Sequence, residues 1–208
     1  DFCLSRGLGD VYKRQLLLAA KGLPSASVSH QPAMSMEDYF EGFKRVFSNR
    51  SADACLVGAT LSWTAWQANM LYGSSFFRQQ FLISTGFASI LVMASALCFT
   101  LGNLASSRFV KRFGRKPVTV STALLTGILV ICYTNMPNLW LSIVLAGLGS
   151  LFSGMRFIAS NSLTLEQVPK FRGTMMSIST AADSLGSALG AGVGGLVLLQ
   201  FNYEAMGI

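Results

Sequence analysis

The chain has 208 residues, 51% hydrophobic and 12% charged, with a mean hydropathy of +0.49, more apolar surface than a soluble core can hide. Its net charge of +7 raises the question of nucleic acid, but the basic residues sit in the gaps between apolar runs, which excludes nucleic acid as a partner. Cys55, Cys98 and Cys132 fall inside those runs at no metal-ligand spacing, so neither a disulfide framework nor a metal site is implied.

In chain order, Ser5-Arg6-Gly7-Leu8-Gly9 and Asp10-Val11-Tyr12-Lys13-Arg14-Gln15 resemble the in-frame translation of a transposon adapter end used in sequencing libraries. Residues 1–15 therefore read as an assembly scar, or else as a genuine basic N-terminus, and are set aside from fold reasoning. Residues 16–34 read as the remnant of an upstream helix and a linker: 16–23 is apolar but too short to span, and Pro24, Ser25, Ser27, Ser29 and Pro32 follow it. His30, the single histidine, lies in this linker and is assigned no role.

Residues 35–50 predict an amphipathic helix on the cytoplasmic surface. Ser35 and Asp38 make a capping-box-like start, and Met36, Tyr39, Phe40, Phe43 and Phe47 recur at helical spacing. Glu37 and Asp38 stand at its positive end, Lys44 and Arg45 at its negative end. Such a helix lies in the membrane interface and leads into the first span.

Residues 51–208 predict a transmembrane domain with spans at 54–77, 79–106, 118–135, 139–165 and 174–200. Each is long enough to cross a hydrocarbon layer of about 30 Å, and each must be helical because lipid offers backbone amides no partner. Lys44, Arg45 and Arg50 precede the first span; Arg108, Lys111, Arg112, Arg115 and Lys116 separate the second from the third; Lys170 and Arg172 separate the fourth from the fifth. The alternate gaps hold Arg78, the uncharged turn Asn135-Met136-Pro137-Asn138, and Glu204. The basic gaps are thus expected in the cytoplasm, with the N-terminal end inside and the whole multi-pass in an inner (plasma) membrane.

The most specific motif is Ser107-Arg108-Phe109-Val110-Lys111-Arg112-Phe113-Gly114-Arg115-Lys116-Pro117. It resembles the cytoplasmic signature of the major facilitator superfamily, Gly-x-Leu-x-Asp-Arg-x-Gly-Arg-Arg/Lys, with Arg112, Gly114, Arg115 and Lys116 in place, Ser107 at the first Gly and Lys111 at the Asp. Read physically, Gly114 permits a tight turn and the basic cluster can bond helix carbonyls or anionic lipid heads, or simply orient the loop. In the last span Gly186, Gly190, Gly192, Gly194 and Gly195 resemble the family's Gly-Pro-x-x-Gly-Gly helix, with Ala191 where the proline stands. Gly186, Gly190 and Gly194, four apart, also form a face that lets a neighbouring helix approach closely.

That resemblance implies an all-α polytopic membrane bundle, about five helices of a six-helix repeat. The linker, the surface helix and Glu166-Gln167-Val168-Pro169-Lys170-Phe171-Arg172-Gly173 resemble the C-terminal half of the family, so the chain reads as a fragment whose partner is a missing N-terminal six-helix half. Two such halves rock around a midplane site; the first, second, fourth and fifth spans would line the cavity, and one half alone should not transport.

Two charges lie inside spans, Arg156 and Asp183, each on the order of 13 Å from the cytoplasmic side at 1.5 Å per residue. They are expected to form an ion pair lining the cavity; alternatively Arg156 snorkels and Asp183 faces water. Trp63, Trp66, Gln67, Asn69 and Tyr72 in the first span offer an aromatic and amide surface for a sugar-like or amphipathic ligand, or else a packing stripe. The resemblance implies a secondary transporter of a small-molecule substrate, an efflux antiporter of amphipathic compounds or sugars coupled to protons, with no cofactor. A non-transporting sensor or assembly subunit is the alternative. Gly147, Gly149 and Gly154 do not make a dinucleotide loop in an apolar helix, and no catalytic residues are expected.

Overall fold

The computed structural model describes residues 36–200; the adapter-like segment, the linker with His30, Ser35 and Glu204 lie outside them. The chain divides into a unit of residues 1–38, of which only the first turn of a helix is described, and a unit from Tyr39 onward. Six α-helices follow in order: α1 (Met36–Phe47), α2 (Arg50–Phe81), α3 (Thr85–Phe113), α4 (Arg115–Thr134), α5 (Leu139–Glu166) and, after a short 3-10 turn (Pro169–Phe171), α6 (Arg172–Gln200).

Local chemistry sets the breaks. Asn49 caps α2 by accepting the Ser51 amide at 3.0 Å, Ser84 caps α3 by accepting the Phe87 amide at 3.3 Å, and Asn138 caps α5 by accepting from Trp140 and Leu141. Between α3 and α4 the chain turns on one residue, Gly114, at φ 87° and ψ 161°, backbone that a side chain resists. The break after α2 falls at Leu82, which is left-handed at φ 53°. Gln79 therefore finishes the first long helix instead of starting the second span. The charge of Arg78 misplaces that boundary, because a long cationic side chain can stay helical and reach out of the apolar layer.

The described residues contain four helices long and apolar enough to cross a membrane: Thr85–Phe113, Arg115–Thr134, Leu139–Glu166 and Pro169–Leu198. The chain is a multi-pass membrane protein with an all-α fold. α2, at 32 residues, has the length but is too polar to stand among the four, because it carries Thr60, Ser62, Thr64, Gln67 and Asn69. Exposed Ile90, Met93, Leu97, Leu101 and Leu104 run as one stripe along α3, a surface that lipid solvates and water does not.

Packing rests on small residues. α5 lies along both α3 and α4, while α2 lies along α6. A Cβ placed on Gly102 would collide with the Leu151 carbonyl, and one on Gly154 with the Phe99 carbonyl, so α3 and α5 meet backbone to backbone. The Ser106 hydroxyl donates to the Met155 carbonyl at 2.9 Å across the same crossing. Dispersion and such interhelical bonds hold membrane helices together where lipid removes the hydrophobic drive.

Candidate functional site

The predicted glycine face of α6 seats against α2. A Cβ at Gly186 would stand 3.1 Å from the Thr64 hydroxyl, one at Gly190 2.5 Å from the Thr64 carbonyl oxygen, and one at Gly194 2.8 Å from the Tyr72 ring. That approach brings polar groups within bonding range. Trp63 Nε1 and Gln67 Nε2 both donate to the Ser187 hydroxyl, at 3.0 and 3.2 Å, and that hydroxyl donates to the Asp183 carbonyl at 3.0 Å. The Tyr72 hydroxyl donates to the Ala191 carbonyl at 2.8 Å.

These bonds revise the expected aromatic and amide surface. Trp63 and Gln67 turn toward α6, whereas Trp66 stacks on Phe99 of α3 with ring centroids 5.6 Å apart. Asn69 accepts the Tyr133 hydroxyl of α4 at 2.6 Å. Adjacent residues diverge by about 100° around a helix, so Trp66 and Gln67 serve different neighbours. Much of the polarity of α2 is thus committed to helix contacts. The sequence signal for Tyr133 is its position after an apolar run, and that for Ser187 is its place one helical turn beyond Asp183.

Arg156 is 4% exposed, and its Nη2 has no hydrogen-bond partner among the described residues. Asp183 is half-buried, and each of the two lies in the other's electrostatic field. The expected direct ion pair does not close: among the described residues the side-chain ion pairs are Arg45–Glu41 and Arg115–Glu166. α6 is held along α2 and touches α5 only sparingly, which keeps the carboxylate away from the guanidinium.

Arg156 faces a groove of about 500 Å³ between α2, α4, α5 and α6, whose polar lining includes Ser62, Thr64, Asn69, Thr126 and Ser153. The third expected span, as α4, therefore contributes to this groove. The Ser153 hydroxyl is also buried without a partner among the described residues. A buried cation and a buried hydroxyl on one wall can meet an anionic group or water.

The signature loop forms the α3–α4 joint. Lys111 and Arg112 end α3, with the Arg112 guanidinium 5.3 Å from the Phe113 ring centroid, Gly114 turns, and Arg115 and Lys116 begin α4. Arg115 pairs with Glu166 at the end of α5. Glu166, one residue past the expected fourth span, is the last residue of α5. Across the same end, Asn49 Nδ2 donates to the Gln167 carbonyl at 3.2 Å and the Ser51 hydroxyl to Gln167 Oε1 at 2.7 Å, tying the start of α2 to the end of α5.

A family model for the Major Facilitator Superfamily matches residues 55–208. The chain is similar to a "Na(+), Li(+), K(+)/H(+) antiporter" of Planococcus maritimus, 23% identical over 164 residues, which cover 76% of this chain and 38% of the relative. The chain thus spans well under half the length of that curated relative. No solved structure matches. Over most of its length, and with its basic turn and glycine-seated helices in the places described, the chain belongs to the Major Facilitator Superfamily.

Proposed function

We propose that the chain is part of a secondary transporter that exchanges a monovalent cation for protons, with Asp183 as the exchanging group and Arg156 as its internal counter-charge. The observation that supports this most is the buried Arg156 guanidinium, unpaired at Nη2 and within the field of a half-buried carboxylate. Asp183 is the one acidic residue within the spans read from the sequence, so a proton and a cation compete for the same oxygens. The name of the similar antiporter points the same way.

A sugar substrate loses support, because Trp63, Gln67 and Tyr72 already bond to α6. Efflux of a small amphipathic compound stands as the second reading, favoured by the largely apolar groove beside Arg156. In both readings the basic ends face the cytoplasm of a cell with an inner membrane, and a second half completes the cavity.

The complete gene product in proteoliposomes carrying an internal pH dye tests the proposal. Adding sodium, lithium or potassium chloride should collapse an imposed pH gradient, and choline chloride should not. Asp183→Asn should abolish the exchange while leaving insertion intact. Exchange that survives this change would refute the assignment.

A further inference from the structure

We infer that α1 is a docking surface for anionic phospholipid, held in the leaflet on the basic side of the membrane. At about 100° per residue, Gly42 and Val46 lie on one line of α1, Phe40, Phe43 and Phe47 on a line about 100° further round, and Glu37, Glu41, Lys44 and Arg45 on the rest. The first line is taken. Val46 is fully buried in a cluster with Ala52, Leu56, Val168 and Met175, and a Cβ on Gly42 would stand 3.0 Å from the Thr174 hydroxyl and 3.1 Å from the Phe171 ring. α1 therefore rests on the foot of α6 at its entry to the apolar layer.

The second line is bare. Phe40, Phe43 and Phe47 are 71%, 45% and 59% exposed, three aromatic rings on one edge of one short helix. Water would leave them as an aggregation patch. Because the protein-facing line and the charged line are both accounted for, the phenylalanine edge continues the lipid-facing surface of the bundle at headgroup depth.

Charge selects the lipid. Lys44 borders the edge and Arg50 follows it, Arg45 being paired with Glu41, and exposed Lys111, Arg112, Lys116, Lys170 and Arg172 gather at the same end, which the Arg115–Glu166 pair and the Gln167 bonds hold together. Basic residues near the interface draw anionic headgroups, each adding to the hold of the buried rings. The occupant is thus a lipid surface of phosphatidylglycerol-like charge.

Hydrogen exchange on the full chain in vesicles tests it. Vesicles of phosphatidylcholine alone are compared with vesicles of phosphatidylcholine and phosphatidylglycerol at three to one. Amides of α1 should exchange about tenfold more slowly in the anionic vesicles, with α3 to α5 unchanged. Changing Phe40, Phe43 and Phe47 together to serine should erase the difference, and changing them to leucine should keep most of it. Equal exchange in both lipids would overturn the inference. So would protection that rises with protein density at fixed lipid, which would make a second copy the occupant. The lipid comparison uses the unaltered chain, so it decides even if the serine variant fails to fold.

Discussion

At Gly190 an added methyl would stand 2.5 Å from a carbonyl oxygen, whereas at Gly58 it would meet nothing within 4 Å. Gly190→Ala should therefore destabilise the bundle by about 1–3 kcal/mol, the usual cost of forcing an atom into a packed interface. Gly58→Ala should be neutral or stabilise by up to about 1 kcal/mol, since alanine is the better helix former. Thermal unfolding midpoints in detergent separate the two, and equal shifts would contradict the close α2–α6 approach. Tyr133→Phe strips the partner from Asn69 and should cost about 0.6 kcal/mol and no more than about 1.7, the average and maximum measured for hydrogen bonds between membrane helices. Adding Asn69→Leu should recover part of that loss, because no polar group is then left unpaired. At this scale the sequence named Arg156, Asp183 and the residues of α2 as those to watch. Their partners were not legible, because a side chain's direction depends on which neighbour its helix turns toward.

Helix ends follow local rules, which the expected span limits, set by charge and apolar length, did not use. The caps Asn49, Ser84 and Asn138 are short polar residues placed just before apolar runs, and Gly114 sits between two basic pairs. Gly114→Ala should cost about 1–3 kcal/mol, since φ 87° with ψ 161° is nearly reserved to glycine. Amide exchange at the α3–α4 joint reports that loosening. The Arg115–Glu166 pair is only partly buried, with side chains 36% and 50% exposed, so removing either partner should cost less than about 1 kcal/mol at low salt and nothing in high salt. Exchanging the two residues should restore the low-salt stability, and a swapped variant no better than the single ones would argue against the pair. The Leu82 break escaped the sequence reading because charge marks the edge of the apolar layer, while the helix ends where the backbone turns.

Across the whole bundle, the alternation of basic and uncharged gaps makes a definite claim about threading. Single cysteines placed beside Lys116 and beside Asn138 should react with an impermeant reagent from opposite sides of the membrane. Labelling from one side only would rule out the proposed orientation. α2 and α6 form one close pair, and α5 with α3 and α4 form another group, with the groove beside Arg156 between them. No stretch of sequence states that grouping. It arises because Gly102 and Gly154 let α3 and α5 touch while the glycines of α6 select α2.

By itself the sequence determined the helical class, the membrane as solvent, the basic turn and the family resemblance. These depend on composition, run length and local spacing, which act along the chain. The tertiary structure decided which polar residues are spent holding helices together, that Arg156 and Asp183 stand apart within each other's field, and that one edge of α1 is left bare. Those outcomes depend on which helices become neighbours, and close approach at a few glycines settles that only once all the helices compete for the same faces.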